Sequence, residues 1–490
     1  MKLRKRITLY LLMAFVSAPA FSQEFWDLRR CVAYAQENNI SVRQADIQRR
    51  FNALALKQTE ASRLPSASFS AGTGYAFGRN TDPTTNINTS AQFLSQNFNL
   101  SASVPIFNWN RITNNIIAAR LDHQAAEVDV ERAKNDIALS VANAYLQALL
   151  SHEQVRIARL QVAQDSAQLA DVRRRVEAGA VPELDALQLE AQMATDSANL
   201  ISAKASAELN LLQLRALLNL DMDTPFAIAT PPVESIPLES LADLEPSVVY
   251  AFALKNQPAQ RANELRIKSL EAMVKSTRAG LYPSITAYGG LGTNFSSANT
   301  KIIGTTFNGY TPIVPGGIYD MVDINGVQYP VQQPIYSVQS GKKRFGEYWT
   351  GWGDQINNNF GQNLGISISV PLFNGYNART AYERSKLNVK NQELTLQQAN
   401  LQLSQDIYSA HANAVAALQK YNASKVALAA SEKAADFAQK RYEVGLLSTF
   451  DLITSQNNLS RARVDVSNAL FDYVFKMKVL EFYKGVGLKL

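Results

Sequence analysis

The sequence predicts an α+β membrane protein built from two structural repeats, and three observations support this prediction. Residues 1–22 have the three-part organisation of a secretory signal peptide. Four segments alternate apolar with small polar side chains over about ten residues each, which is the pattern and length of a tilted membrane strand. Residues 112–176 and 378–444 contain neither glycine nor proline, so each stretch predicts one very long α-helix.

The first element along the chain is the signal peptide. Four basic residues precede the apolar run 7–16 and small residues that end at Ala20-Phe21-Ser22, so the mature chain is expected to begin near Gln23. Without those four residues the formal charge falls from +6 to +2, which argues against nucleic-acid binding. No later segment offers about 18 uninterrupted apolar residues, so no α-helical membrane span is expected. The single cysteine, Cys31, is expected to be a small buried residue of an amphipathic helix.

The chain contains an internal repeat. Residues 103–108, Ser-Val-Pro-Ile-Phe-Asn, recur as Ser-Val-Pro-Leu-Phe-Asn at 369–374, and Arg-Val-Glu-Ala-Gly at 175–179 recurs at the same spacing as Arg-Tyr-Glu-Val-Gly at 441–445. Leu-Pro-Ser at 64–66 recurs as Tyr-Pro-Ser at 282–284, which is a shorter spacing. From the difference between the two spacings, the second half carries an insertion of 48 residues, which must lie within about 294–360.

These spacings predict the domain organisation. We expect repeat 1 at 23–228, a proline-rich linker at 229–245 and repeat 2 at 246–490. The insertion is rich in Gly, Tyr, Asn and Pro and lacks a sustained period, which predicts a loop. Its aromatic residues could bind a sugar or a surface partner, but we favour a loop in which they pack on one another. These residues are Tyr310, Tyr319, Tyr329, Tyr336, Trp349 and Trp352.

Strands are predicted at about 64–77 and 97–107 in repeat 1 and at about 282–293 and 361–373 in repeat 2. Around Pro65 the apolar and aromatic residues alternate strictly with Ser and Gly. Taken singly, such a strand fits a soluble sandwich equally well. A four-stranded sheet from one chain has open edges, which lipid does not tolerate, so the membrane interpretation requires several chains to close one barrel.

Helical hairpins are predicted at about 110–220 and 376–485. A helix over residues 110–178 would be about 100 Å long at 1.5 Å per residue. Its apolar residues recur every seven positions from Val141 to Val176, which is typical of a coiled coil. A cytoplasmic or fibrous coiled coil would share this pattern, but the signal peptide and the strand pairs oppose it.

The sequence offers little support for catalysis. Its three histidines, His123, His152 and His411, lie within predicted long helices, and His152-Glu153 lacks the second histidine of a zinc-protease motif. The sequence around Gly341-Lys342 is not a phosphate-binding loop. We therefore expect no catalytic residues, no cofactor and no metal. A secreted or periplasmic glycan-binding or enzymatic protein with a coiled-coil scaffold remains the alternative function.

The sequence resembles the TolC-type outer-membrane efflux proteins, the outer membrane factor family, over nearly the whole mature chain. The resemblance rests on the helical segment 27–39, the duplicated Ser-Val-Pro-(Ile/Leu)-Phe-Asn strand ends, and residues 441–453. It implies a homotrimer in which four strands per chain form a 12-stranded β-barrel, continuous with a periplasmic α-barrel of coiled-coil helices. The Ser, Asn and Gly faces would line the pore, and the apolar faces would meet outer-membrane lipid.

The same resemblance implies the function and location. The protein would be the passive exit duct of a tripartite efflux or type I secretion system, in the outer membrane of a Gram-negative bacterium and extending into the periplasm. Its partners would be a periplasmic membrane-fusion adaptor and an inner-membrane pump of the RND or ABC type. Nucleic acid is not an expected partner, and the transported substrate is not indicated by the sequence.

Two helical turns, at Gly179 and Gly445, form the candidate site. By resemblance they form the periplasmic mouth, where Tyr442 and Asp185 match a pair that holds it shut and Asp451 matches a ring of carboxylates. The residues implied to dock the adaptor are Arg175, Gly179, Ala180, Val181, Arg441, Gly445, Leu446, Leu447 and Ser448. The simpler alternative is that these glycines and aspartates only end and begin helices.

The sequence departs from the family pattern at two positions of this site. Leu447 stands where well-known members carry an arginine, and Thr454 stands where they carry a second aspartate. We therefore expect the gate formed by Asp185, Tyr442, Asp451 and Thr454 to be weaker or held differently.

Overall fold

The computed structural model describes residues 25–81, 86, 88–90, 93–223, 225–230, 236, 238–297, 301–341, 347 and 351–485. The signal peptide predicted at 1–22 and part of the predicted linker lie outside the described residues. Among the described residues, no helix combines the length and apolar character needed to cross a membrane.

The first half begins with two helices, continues with a strand pair and ends with a long helical hairpin. Its main elements are α1 (Leu28–Asn38), α2 (Ile40–Ala61), β1 (Ser66–Ala76), β4 (Phe93–Phe107), α3 (Arg111–Glu177) and α4 (Glu183–Leu218), with the short strands β2 (Arg79–Thr81) and β3 (Asn88–Ser90) between β1 and β4. We call α3 and α4 the first hairpin. Helix α3 is long because no glycine or proline interrupts it before Gly179, and α4 likewise contains neither residue.

The second half has the same order of main elements. They are α5 (Pro246–Asn256), α6 (Pro258–Ala279), β5 (Ser284–Ser296), β10 (Gly361–Ser369), α8 (Asn377–Glu443) and α9 (Thr449–Tyr483). We call α8 and α9 the second hairpin. The helices and strand β1 of the first half each start a fixed number of residues before their counterparts in the second half. For α1 and α5, α2 and α6, and β1 and β5, this number equals the spacing of the two Pro-Ser segments. For the two hairpins it equals the longer spacing of the two Ser-Val-Pro segments. The sequence-level spacings therefore reappear as corresponding elements.

The structure corrects the predicted loop within 294–360. This segment forms two antiparallel strand pairs and a helix: β6 (Lys301–Tyr310) pairs with β9 (Pro334–Gly341), β7 (Met321–Ile324) pairs with β8 (Val327–Pro330), and α7 is Trp352–Asn358. Phe307 contacts the rings of both Tyr310 and Tyr336, as expected for aromatic residues that pack on one another. The loop prediction was wrong because cross-strand pairs stabilise these strands despite two register shifts along β6.

Two compact units divide the chain, and each repeat contributes to both of them. Of the described residues, those within Met1–Gln58, Asn114–Lys275 and Ala381–Leu490 form the helical unit, and those within Thr59–Thr113 and Ser276–Thr380 form the strand unit. The units therefore cut across the two repeats. The boundaries 23–228 and 246–490 stay a prediction from the sequence.

The strand unit contains a four-stranded antiparallel sheet in the order β1-β4-β5-β10. Residues opposite each other share a face, and Phe69, Leu100 and Leu291 lie together on the apolar face. On the other face the hydroxyls of Ser68 and Ser101 are 2.9 Å apart. The alternation in the sequence thus gives one apolar face and one polar face. Strands β1 and β10 are the two edges of the sheet.

Two strand ends differ from the sequence-based expectation. Strand β4 begins at Phe93 rather than near 97, because Ala76, Tyr75 and Gly74 of β1 continue the pairing. Strand β10 ends at Ser369 rather than near 373, before Pro371, which lacks the amide hydrogen that a ladder requires.

The core of the helical unit lies where the short helices pack on the long hairpins. One cluster joins Cys31, Ala35, Tyr145 and Leu214, and a second joins Val249, Ile407 and Met477. The hydroxyl of Tyr145 donates a hydrogen bond of 2.6 Å to the carbonyl of Ala229. Burial raises the pKa of the Cys31 thiol to about 12, so this side chain is an uncharged core residue, as predicted.

Candidate functional site at the turns of the helical hairpins

The first hairpin reverses through a Schellman motif. Gly179 adopts a φ of +67°, which glycine accommodates without steric cost. Its amide donates to Val176, and the amide of Ala180 donates 2.8 Å to the carbonyl of Arg175. These two bonds satisfy carbonyls that the end of α3 leaves unpaired. The position of Gly179 is therefore dictated by the turn geometry.

The second hairpin reverses in the same way but begins its returning helix differently. Gly445 has a φ of +76°, and the amide of Leu446 donates 2.8 Å to the carbonyl of Arg441. The side chain of Ser448 accepts the amide of Asp451 at 3.2 Å, and its hydroxyl lies 2.7 Å from the Asp451 carboxylate. This arrangement is an N-cap, whereas the first hairpin has Pro182 at the same position.

The two turns pack on one another through one apolar cluster, which we call the tip cluster. Its buried members come from both hairpins: Leu169, Val172, Ala186, Leu189, Tyr442 and Leu452. Val181 and Leu447 pack against it from the turns themselves. The structure thus brings Tyr442 and residues of both predicted turns into one place.

The structure does not join Tyr442 to Asp185 within the chain. The Tyr442 ring is 91% buried in the tip cluster, and its hydroxyl lies 3.4 Å from the hydroxyl of Thr449. Asp185 lies in the first turn of α4, where a carboxylate interacts favourably with the helix dipole. Among the hydrogen bonds of the described residues, none links these two side chains. Their role as a closing pair stays a prediction.

Asp451, Thr454 and Leu447 have separate local roles. Asp451 is exposed in the first turn of α9 and belongs to the cap formed with Ser448. The Thr454 hydroxyl donates to the carbonyl of Phe450 on its own helix at 2.9 Å. Leu447 packs against the tip cluster, so an apolar contact replaces the charge that the family pattern has at this position.

The residues predicted to dock an adaptor are mostly exposed. Gly179, Ala180 and Ser448 are exposed, and Leu446 has 68% of its surface accessible. Arg175 is held at the end of α3 by an ion pair of 2.9 Å with Asp171. Arg173 and Glu190, which were not among the predicted site residues, form a 2.9 Å ion pair between α3 and α4. Their opposite charges were visible, but their proximity depends on how the hairpin folds back.

Within the ranges that the structure describes, no group of three or more His, Cys, Asp and Glu side chains is arranged to hold a metal ion. His123 lies beside Glu127 at 3.8 Å on one face of α3, and His152 is exposed on the same helix. The chemistry available at the turns is therefore apolar contact, charge and backbone hydrogen bonding.

Solved structures share this architecture. CusC, described as a protein that forms a transmembrane channel, has a TM-score of 0.70 and 16% sequence identity, and the match covers 94% of this chain and 93% of that chain. The CmeC outer membrane channel of Campylobacter jejuni has a TM-score of 0.67 and 17% identity, with 94% and 87% covered. The chain shares the fold of these channels, and the predicted combination of strands with long helices is confirmed, whereas closure of a 12-stranded barrel stays a prediction.

The sequence agrees with this class. A family model described as outer membrane efflux protein matches residues 32–220 and 347–476, which is more than half of the chain. The chain belongs to the outer membrane efflux protein family, which places it in the outer membrane. The predicted family is confirmed, and neither the family nor the fold supports the alternative of a glycan-binding or enzymatic protein.

Individual relatives match shorter stretches. The chain is 30% identical over 205 residues to the pyoverdine export outer membrane protein OpmQ of Pseudomonas putida, which covers 41% of this chain and 40% of that protein. It is 26% identical over 136 residues to the outer membrane protein TolC of Escherichia coli, with 28% and 27% covered. The chain thus spans less than half the length of these two relatives.

Proposed function

We propose that three copies of this chain form the exit duct of a tripartite efflux or type I secretion system. The observation that carries the proposal is the four-stranded sheet with one apolar face, one polar face and two edges. Such a sheet is compatible with lipid only if neighbouring copies pair with both edges. Substrates would pass through the duct without chemical change, since the family and fold are those of channels.

The proposal is tested with protein extracted from outer membranes. The expected result is an oligomer that migrates as three chains on a gel without heating and as one chain after heating, and that conducts ions in a planar bilayer. A protein that remains monomeric and non-conducting after extraction in mild detergent would overturn the proposal.

We propose further that the two hairpin turns dock a periplasmic membrane-fusion adaptor, which connects the duct to an inner-membrane pump of the RND or ABC type. The docking residues are those predicted from the sequence: Arg175, Gly179, Ala180, Val181, Arg441, Gly445, Leu446, Leu447 and Ser448. Support comes from the exposure of Ala180 and Leu446 on turns fixed by the Schellman motifs.

A photo-crosslinking residue at Leu446 or Ala180 tests this contact in intact cells. The expected product joins the chain to an adaptor, and mass spectrometry of that product would identify the adaptor and the pump that co-purifies with it. Val426 is the matched control, because it is 72% exposed but lies on α8 seventeen residues before the helix ends at Glu443. Equal crosslinking from Val426 and Leu446 would contradict docking at the turns.

We propose, finally, that Asp185, Tyr442, Asp451 and Thr454 belong to the periplasmic gate. The exposed carboxylate of Asp451 can form a ring of three like charges in a trimer, and such a ring attracts cations. In planar bilayers Asp451→Ala should raise the single-channel conductance and weaken block by multivalent cations. The control is Asp171→Ala, which removes a carboxylate from α3 instead. Unchanged conductance and cation block in Asp451→Ala would remove Asp451 from the gate.

A further inference from the structure

Two aspartates face each other inside the first hairpin, away from the candidate site. Asp165 on α3 is 98% buried, and Asp196 on α4 is 91% buried. Asp165 lies fourteen residues before Gly179, which is about 20 Å along the helix. A buried carboxylate is costly unless it is paired or protonated, so two of them in contact require an explanation.

Hydrogen bonds hold both carboxyl groups in place. Gln161 donates 3.0 Å to Oδ1 of Asp165, while Gln192 donates 2.7 Å to Oδ2 of Asp196 and Asn199 donates 3.3 Å to its Oδ1. The second oxygen of Asp165, Oδ2, is buried and receives no hydrogen bond from the described residues. The neighbouring carboxyl of Asp196 on α4 interacts with that of Asp165 electrostatically and as a hydrogen-bonding group. A proton between the two groups would satisfy the unpaired oxygen.

The electrostatic surroundings favour that proton. Burial and then the hydrogen bond and negative charge of Asp196 raise the pKa of Asp165 to about 7. Among the described residues, Asp196 is the ionisable group that acts on Asp165. On α3 the neutral amide of Gln161 contacts Asp165, and on α9 the neutral amide of Asn457 contacts Gln192. No positively charged side chain of the described residues acts on Asp165.

The acidic pair is connected to the second hairpin. Gln192 donates through the same nitrogen to Asp196 and to Oδ1 of Asn457 on α9, the latter at 3.1 Å, and Asn457 returns a bond of 3.2 Å to Gln192. One turn away, Gln456 donates 2.9 Å to Gln168 of α3. These amide pairs join the first hairpin to α9 at the level of the two aspartates.

We propose that Asp165 and Asp196 share one proton and act as a pH-sensitive latch, which fastens the first hairpin to α9 when protonated and loosens it when the proton is lost. The second repeat has no equivalent, because Ser431 and Ala462 occupy the corresponding positions of the second hairpin. The latch therefore acts in one hairpin of each chain. This inference depends on the folded chain and not on an adaptor or pump.

The direction of the pH effect follows from linkage. In an opened, hydrated state Asp165 would have an ordinary pKa of about 3.9. The shared proton thus stabilises the fastened state fully below about pH 4. As the pH rises to about 7 this stabilisation is lost, and the equilibrium constant for opening increases by up to tenfold per pH unit. Above about pH 8 the opening constant should no longer change.

Hydrogen exchange on the purified full-length protein tests the latch between pH 5 and pH 9. In the wild type, peptides that cover Asp165, Asp196 and Asn457 should lose protection as the pH rises to 7, relative to Asp165→Asn measured at the same pH. Asparagine has nearly the same shape, can donate to Asp196 and has no proton to lose. The matched control is Asp406→Asn, because Gln402 donates 2.8 Å to Asp406 in the same spacing on the exposed side of α8.

Infrared spectroscopy gives a second readout that does not depend on a stability change. The carbonyl band of a protonated carboxylic acid should disappear between pH 6 and pH 8 in the wild type and in Asp406→Asn, and it should be absent from Asp165→Asn. Loss of that band without a change in protection would overturn the latch. Absence of the band from the wild type at pH 6 would overturn the shared proton.

Discussion

Tyr442 makes its apolar and its polar contacts through different atoms of one side chain. Its ring fills the tip cluster between Leu169, Leu189 and Leu452, whereas its hydroxyl makes one long contact with Thr449. Removing the ring leaves a cavity, while removing the hydroxyl loses only a weak hydrogen bond. The packing role therefore predicts a large difference between two substitutions at the same position.

Tyr442→Ala should destabilise the packing of the two turns by roughly 3–5 kcal/mol, and Tyr442→Phe by less than about 1 kcal/mol. Hydrogen exchange of peptides covering Val172, Leu189 and Leu452 measures both effects. If Tyr442→Phe weakened protection as much as Tyr442→Ala, the hydroxyl rather than the ring would hold the turns together. That result would favour the closing pair with Asp185.

At the scale of single elements, the two returning helices begin with different caps. Ser448 satisfies an amide of the first turn of α9, whereas Pro182 offers no side-chain hydrogen bond to α4. The end of the second hairpin therefore depends on a side chain that the first hairpin lacks. This difference can be tested by a single substitution.

Ser448→Ala should cost about 1 kcal/mol at the start of α9, because it removes the cap of the Asp451 amide. Limited proteolysis should then cut the second turn several-fold faster than in the wild type. The control is Ser202→Ala in α4, where the exposed hydroxyl bonds only to its own helix at Ala198 and alanine is the better helix former. Equal cleavage rates in the wild type and Ser448→Ala would show that the cap contributes nothing to this turn.

Local signals explain why some elements were predictable. The hairpins were expected at about 110–220 and 376–485, and their helices span Arg111–Leu218 and Asn377–Tyr483, since Gly and Pro mark the ends of helices in the sequence itself. Strands β6 and β9 escaped prediction because glycines and register shifts interrupt their alternation. Strands β7 and β8 pair without a shift across Asn325-Gly326, a local hairpin signal that the composition-based loop prediction did not use. The pairing of β6 with β9 joins two segments that are distant in the sequence.

The site was predictable in part for the same reason. The turn glycines follow from local backbone geometry, which the sequence records directly. The contact of Asp165 with Asp196 does not follow from local backbone geometry, because a heptad pattern does not show which polar residues of two helices meet. The apolar role of Leu447 likewise became visible only when both turns were seen to share one cluster.

At the scale of the whole molecule, the exposed apolar face of the sheet requires a nonpolar environment. Leu364 is 90% exposed and Phe69 is 68% exposed, and Leu364 belongs to the edge strand β10 while Phe69 belongs to the edge strand β1. A single chain in water would present this face and both edges to solvent. Lipid contact and pairing with neighbouring copies together remove both costs.

The pairing of β1 with β10 of the next copy is the central claim, and cysteine crosslinking in outer membranes tests it most directly. In a Cys31→Ala background, Ser70→Cys on β1 is combined in turn with Asn363→Cys, Ser367→Cys or Ser369→Cys on the polar face of β10. The control combines Ser70→Cys with Thr286→Cys on β5, which already pairs with β4 and β10. We predict that at least one β1–β10 pair gives a covalent species of three chains and that the control gives none. Chains that stay monomeric with every β1–β10 pair would contradict the account.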